Sequence, residues 1–220
     1  MVRLEGLRYD LHIHSKYSHD GILSPEKIVK IAVKKKLGGI AITDHNTIIG
    51  GLKAKKYGTG DFKIVVGSEI STERGEIIGL FLKEEIKPGN VQEVISEIKE
   101  QNGIIVIPHP FDALRHSAFQ PTDEDAKFID CIEGFNPRCV FQEYNKKAVE
   151  FAMRHHLATT AGSDAHFANE IGNAGIITET EDIRETLMKN DVRIFGKRSS
   201  LLNHVATKVL KIWRKAVRSG

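Results

Sequence analysis

Apolar positions along the chain fall in short runs. Nine of these read as strands: "YDLHIH" (9–14), "GGIAIT" (38–43), "KIVVGS" (63–68), "EIIGLFL" (76–82), "GIIVIP" (103–108), "FIDCIEGF" (128–135), "LATTAG" (157–162), "AGIIT" (174–178) and "VRIF" (192–195). They are brief, rich in Ile and Val, and often bounded by Gly. Between several of them the spacing becomes helical. "SPEKIVKIAVKKK" (24–36) offers Ser24 as N-cap, Pro25 at the first helical position, Glu26 in the first turn and lysines at the far end. "NVQEVISEIKEQNG" (90–103) starts at Asn90 and stops at Gly103; "NKKAVEFAMRHH" (145–156) and "EDIRETLMKN" (181–190) are further helices. This alternation predicts a parallel β/α architecture forming one domain over residues 1–200.

The last segment, "LLNHVATKVLKIWRKAVRSG" (201–220), carries Leu202, Val205, Val209, Trp213 and Val217 on one helical stripe. Lys208, Lys211, Lys215 and Arg218 follow another, with no acidic residue to offset them. The expectation is a closing helix packed on the domain with a solvated basic side. A basic face of this kind also suits a nucleic acid or an anionic membrane surface.

Composition adds little beyond class. With 40% hydrophobic and 28% charged residues the 220-residue chain is an ordinary folded protein. A net charge of +3 is too small to announce a polynucleotide partner. No apolar run approaches the roughly 20 residues of a membrane span, and "MVRLEGLRYD" has no signal-peptide core. A cytoplasmic protein without an obligate protein partner is expected. Cys131 and Cys139 fit no CxxC spacing and read as idle buried thiols.

The ionisable residues change the picture, because almost every strand ends in a potential metal ligand. The first run ends in His12 and His14, the second in Asp44 and His45, the third in Glu69, the fifth in His109, the sixth in Glu133, and the seventh in "GSDAH", with Asp164 and His166. Active sites of parallel β/α barrels gather at the carboxyl ends of the strands. The regularity argues for a closed or nearly closed barrel, since an open sheet would carry ligands only beside its switch point. His12 and His14 are two apart and share a strand face. Asp10, of the same parity, is placed to accept a hydrogen bond from one of their rings, and Asp20 lies in the following loop. The donors are imidazole and carboxylate without thiolate, which suits zinc, manganese or iron. They exceed the four needed for one ion, so two or three divalent ions sharing a bridging carboxylate are implied.

The pieces "DLHIHSKYSHDG", "AITDHNT", "VGSEIST", "IPHPF", "IEGFNPR" and "AGSDAHF", in this order, resemble the PHP family, the polymerase and histidinol phosphatase superfamily of metal-dependent phosphoesterases. They cover most of residues 9–175 and are jointly specific. The resemblance implies a distorted (β/α)7 barrel with a three-metal site at the C-terminal ends of its strands. It places His12, His14, Glu69 and Asp164 on a first ion. Glu69 would bridge to a second, shared with His109, and Asp20, His45 and His166 would hold a third. Asp44 would orient neighbouring imidazoles. One position departs: Glu76 stands where many relatives have a His. Either its carboxylate binds the second ion, favouring Mn, Fe or Mg over Zn, or it is a surface residue and that ion is weakly held or lost.

Other residues carry weaker signals. His19 reads as exposed. Arg115 and Arg138 are candidates to grip a substrate phosphate, against a structural ion pair. His116 is a candidate proton donor at the pocket mouth, against an ordinary loop His. His155 and His156 end a helix and suit its dipole. Glu133 and Asn136 line the site without binding metal. The leading expectation is hydrolysis of a phosphomonoester or small nucleotide by a metal-bridging hydroxide, with His109, Asp164 and His166 indispensable. The alternatives are a nuclease trimming the ends of short RNA or DNA, which would want a long groove lined with aromatics, and a non-catalytic interaction module.

Overall fold

A computed structural model describes residues 6–219. Nine strands are found among them: β1 (Leu7–Asp10), β2 (Gly39–His45), β3 (Lys63–Thr72), β4 (Gly75–Leu80), β5 (Ile104–Ile107), β6 (Cys131–Phe135), β7 (Ala158–Ala161), β8 (Ala174–Thr178) and β9 (Arg193–Gly196). The helices are α1 (Pro25–Lys34), α2 (Ile49–Ala54), α3 (Val91–Glu100), α4 (Gln142–His155), α5 (Ile183–Met188) and α6 (Leu201–Ser219). Each expected strand is present. The N-caps are as read: Ser24 accepts from the Lys27 amide with Pro25 next to it, and Asn90 accepts from the Gln92 amide, whereas α3 stops at Glu100 and Asn102, not Gly103, takes the left-handed turn at φ 56°. Helix α4 begins three residues earlier than its pattern suggested, and His156, at φ 55°, ends it. Helix α2 was not expected, because its two glycines lower helix propensity. They are there for close approach. A Cβ on Gly50 would sit 1.9 Å from Asp44 Oδ2, and one on Gly51 would sit 3.1 Å from the Val66 backbone.

The strands form one sheet in the order β7-β6-β5-β4-β3-β2-β1-β8-β9. Pairs β1–β2, β2–β3, β5–β6 and β6–β7 are parallel. Past β1, Ile13 bridges Ala165 just beyond β7. The His14 amide donates to Ala165 O at 2.9 Å and the Thr43 amide to Ile13 O at 2.9 Å. These bonds bring the β7 edge round to β1 and leave a nearly closed barrel of seven strands.

Two features differ from a uniform β/α repeat. Strand β4 is antiparallel to both neighbours, because the turn Glu73-Arg74-Gly75, with Gly75 at φ 129°, returns the chain at once and leaves no room for a crossover helix. Strands β8 and β9 extend the sheet antiparallel from β1. The reversal of β4 matters for the site, since its first residues lie at the end where the parallel strands finish.

Side chains inside the barrel alternate with those facing the helices. Ala41, Val65, Ile78, Leu80, Ile104, Val106 and Cys131 fill the interior, joined by Ile183 and Leu187 of α5. Ile105, Ile107 and Ile132 meet α3 and α4 outside, and Ile40 and Ile42 meet α1. Each fully buried Ile or Leu contributes about 1.5–3 kcal/mol. Cys131 and Cys139 are free and buried.

One ion pair ties the β3–β4 turn to the loop before β6. Arg74 donates to both oxygens of Asp125 at 2.7 Å, and the amide and hydroxyl of Thr122 donate to Asp125 Oδ2. The hydrogen bonds from Arg74, acting against desolvation, lower the Asp125 pKa from 3.8 to about 2. A depressed carboxylate pKa means the contribution is full above about pH 4 and is lost as pH falls through 2. Asp125→Asn should therefore be about 2 kcal/mol less stable than the parent at pH 7, a gap that narrows toward pH 2 in urea unfolding curves.

Candidate metal centre

The interior columns that are apolar at the barrel floor turn polar at its carboxyl end. Ala41 is followed two and four residues on by Thr43 and His45, Val65 by Gly67 and Glu69, and Cys131 by Glu133. The β2–β3 register sets His45 opposite Glu69. On β4 the column runs backwards from Ile78 to Glu76, so Glu76 enters the same rim and is buried there. The β6–β7 pairing shifts register between Glu133 and Phe135, a bulge that re-aims the side chains beside it. His109 and Asp164 follow β5 and β7 with φ of 32° and 51°, a region that non-glycine residues occupy rarely.

All nine residues expected to bind metal converge in one pit. Glu69 is its centre: Oε1 lies 2.9 Å from His109 Nε2, and Oε2 lies 3.2 Å from His45 Nδ1, 3.3 Å from His14 Nε2 and 3.6 Å from His12 Nε2. Asp164 Oδ1 lies 3.3 Å from His14 Nε2 and 3.7 Å from His12 Nε2. Asp20 Oδ2 lies 2.9 Å from His166 Nε2 and 3.2 Å from His45 Nε2. Glu76 Oε1 lies 3.2 Å from His45 Nδ1. The side chains form overlapping groups with ligand spacing: His14, Asp20, His45 and His166; His12, His109 and Asp164; His12, His14 and Glu69; His45, Glu69 and Glu76. Of the two readings of Glu76, the geometry favours the one that puts it in the site.

The donors fit divalent ions. Asp20 Oδ1 and His109 Nδ1 are buried without a hydrogen-bond partner, and the Nε2 atoms of His12 and His14 face each other at 3.1 Å. Lone pairs packed this way call for cations between them. Burial works to raise the acids, yet the facing His45 and His12 hold Glu69 well below the usual range, and Arg115 and His12 do the same for Asp164. Burial, reinforced by His166, pushes His14 down to about 3. The carboxylates are thus kept ionised and His14 keeps its ring lone pair, while against burial Glu133 raises His12 and Glu69 raises His45 well above the usual imidazole range, so the acids hold positive charge at both positions.

The groups that aim these ligands differ from those expected. Asp10 does not hold an imidazole. The chain leaves the β1 ladder at Asp10, so strand alternation does not carry through to His12. Asp10 instead accepts from the backbone amides of Ser163 (2.8 Å), Gly172 (2.7 Å) and His12 (3.4 Å). Asp44 likewise accepts from the Ser15 amide and hydroxyl at 2.6 Å. Burial raises both acids to about 6. The imidazoles are oriented by Glu133 on His12 Nδ1 (2.9 Å), Ser18 Oγ on His14 Nδ1 (3.1 Å) and the Asp164 carbonyl on His166 Nδ1 (2.8 Å). Asn136 bonds Glu133 and Asp164. Ser15 and Ser18 both sit inside "HSKYSHDG", where hydroxyls one to four residues from the ligands are the only sequence signal of these supports.

Around the pit lies a pocket of about 310 Å³. Arg115 lines it, donating from Nε to Asp112 Oδ2 at 3.1 Å and pairing with Asp164 Oδ2 at 2.8 Å. Arg138 also lines it but is committed to Glu170 (2.5 Å) and Thr207 (3.0 Å). His116 is exposed at the mouth. His19 lies 3.8 Å from Asp20, half exposed and outside the ligand groups. His155 pairs with Asp123 at 2.8 Å, far from the pit. His204, Thr207, Lys208 and Lys211 of α6 form one wall, which no pattern in the chain announces.

Comparison with known proteins agrees with this geometry. The model of the PHP domain matches residues 10–202. An uncharacterized protein of Methanocaldococcus jannaschii is 38% identical over 177 residues, 77% of this chain and 70% of the relative. A 5'-3' exoribonuclease of Haemophilus influenzae is 41% identical over 81 residues, 33% of this chain and 28% of the enzyme. The fold matches that of a two-domain protein containing a predicted PHP-like metal-dependent phosphoesterase from Bacteroides vulgatus. Its TM-score is 0.68 at 21% identity, over 87% of this chain and 65% of that one. Fold and site together define a metal-dependent hydrolase acting on ester bonds. The chain belongs to the PHP domain family.

Proposed function

We propose that this domain hydrolyses a phosphate ester of a small molecule, a phosphomonoester or small nucleotide, at a centre of two or three divalent ions. The observation that carries the reading is Glu69, whose two oxygens face four imidazoles from three different strand ends. Zinc, manganese or iron suit the imidazole and carboxylate donors, and the extra carboxylate of Glu76 favours Mn, Fe or Mg at its position. Such ions supply positive charge to the phosphoryl oxygens and lower the pKa of coordinated water. His12, His14, Glu69 and Asp164 would hold the first ion, Glu69, Glu76 and His109 the second, and Asp20, His45 and His166 the third. Arg115, held by Asp112 through Nε and by Asp164 through Nη2, lines the pocket and is placed to offer Nη1 to a phosphate oxygen. Arg138 supports the wall through Glu170 and contacts substrate less directly. His116, at the mouth, is placed to protonate a leaving oxygen.

The nuclease reading draws on the exoribonuclease relative. The pocket favours the small substrate, since it is compact and, among the described residues, no Phe, Tyr or Trp lines it. A screen of nucleotides, sugar phosphates and short oligonucleotides with Mn, Zn, Fe and Mg decides between them. Turnover of a small phosphomonoester that is abolished by His109→Ala, Asp164→Ala or His166→Ala, with the fold retained, is the expected result. Retained metal-dependent turnover in all three variants would remove the assignment. Protein purified without chelator that holds no metal, and is not stabilised by added Mn or Zn, would instead favour the interaction module.

A further inference from the structure

Helix α6 sits on the domain with its faces reversed from the sequence expectation. The side facing the barrel is polar. Thr207 donates to the Asn203 carbonyl and accepts from Arg138 (3.0 Å), Lys211 reaches Asp20 (2.9 Å), and Arg214 donates to the Ser18 carbonyl (2.9 Å). The apolar stripe is turned to solvent: Leu202 is 77% exposed, Ile212 70%, Trp213 60%, Val209 60% and Val205 59%. The side chains of Lys215, Val217 and Arg218 lie outside the described residues. A stripe of this size on a nineteen-residue helix calls for an occupant.

Charge selects the occupant. Residues 192–220 contain eight Lys or Arg and no Asp or Glu, while residues 1–191 carry a net charge of −5. Lys208 borders the exposed stripe and is itself exposed, as are Arg193, Lys197 and Arg198 just before the helix. A second copy of this chain would bring together two basic helices with no acidic residue in either. A nucleic acid would be served by the charge but leaves the aliphatic stripe wet. An anionic bilayer surface satisfies both, since an interfacial helix buries an apolar face flanked by Lys and Arg with Trp at the boundary. No helix among the described residues is long and apolar enough to cross a membrane, so contact would be with one leaflet.

We propose that α6 docks the domain on an anionic lipid surface through Leu202, Val205, Val209, Ile212 and Trp213. The opposite face of the same helix walls the pocket through His204, Thr207, Lys208 and Lys211, so docking would hold the mouth near the headgroups. Docking does not depend on the hydrolytic reading.

Trp213 is the only Trp and reports directly. With the full chain and vesicles of phosphatidylcholine containing roughly one-third phosphatidylglycerol, its emission should shift to the blue and the protein should co-sediment. Affinity should fall roughly tenfold or more with phosphatidylcholine alone and weaken with added salt. Val209→Ser/Ile212→Ser should lose most of the binding while keeping its unfolding temperature and its turnover of a soluble phosphomonoester. Three results would overturn docking: no shift with anionic vesicles at low salt; binding untouched by the double substitution; or Trp213 emission already blue without lipid, with a dimer by light scattering that the substitution dissolves. Absence of turnover in parent and variant alike would count against the enzyme reading and leave the vesicle result standing.

Discussion

Glu69→Gln should abolish turnover by at least about a thousandfold while leaving the barrel folded. The substitution keeps the shape of the side chain and removes its charge. Glu69 stands within 3.6 Å of His12, His14, His45 and His109, so every ion of a cluster sharing it loses part of its anionic field. Loss of several kcal/mol of charge stabilisation at the phosphoryl group corresponds to a factor of that size. Elemental analysis should show at least one ion fewer per chain than in the parent. Thermal unfolding gives an independent readout. An ion bound at a thousand times its Kd stabilises by about 4 kcal/mol, which for a domain of this length is roughly 10 °C. Chelator should lower the parent's Tm by about that amount and the variant's by much less. Parental turnover and parental metal content in Glu69→Gln would show that no ion is shared through this carboxylate.

Much of this centre was legible because strand periodicity is strict. Once Ala41, Val65 and Cys131 are interior, His45, Glu69 and Glu133 must follow them inward. The same logic failed where the chain leaves the ladder. Asp10 and Asp44 look like ligand supports by position, yet both hold backbone or a serine, because the amides of Ser15, Ser163 and Gly172 needed acceptors where the chain passes without sheet partners. Glu76 was ambiguous because the sequence does not state strand direction, and only the reversal of β4 brings it to the rim. Helix α6 is amphipathic, and its polar face, not its apolar one, meets the barrel. Amphipathicity defines two faces but does not say which meets the barrel. Here the barrel offers Asp20, Arg138 and the Ser18 carbonyl, and the polar face matches them. Arg138 shows a further limit, since its partner Glu170 lies thirty-two residues away in a loop with no pattern to read.

Gly162→Ala should damage the centre without touching a ligand. Gly162 leads from β7 into the turn bearing Asp164 and His166 and lies against the segment bearing His12. A Cβ at this position would stand 2.2 Å from His12 Cβ and 2.5 Å from His12 N. These neighbours are backbone and the root of a side chain, so a rotamer change cannot relieve the overlap. The segments must separate by about an ångström, and the closing bonds between His12 or His14 and Ala165 lie directly beside them. Overpacking of this kind costs about 1–3 kcal/mol, or roughly 2–4 °C in Tm per kcal/mol for a domain of this size. Because His12 and Asp164 face each other across this contact, displacement by about 1 Å should cost turnover roughly a hundredfold, more than the lost stability alone would produce at room temperature. Gly60→Ala is the matched control. A Cβ there meets nothing within 4 Å, and the loss of glycine freedom in the unfolded chain should leave stability unchanged or raise it by up to about 1 kcal/mol. Equal Tm and turnover for the two variants would mean that the end of β7 and the His12 segment are not in contact, and that the barrel closes elsewhere.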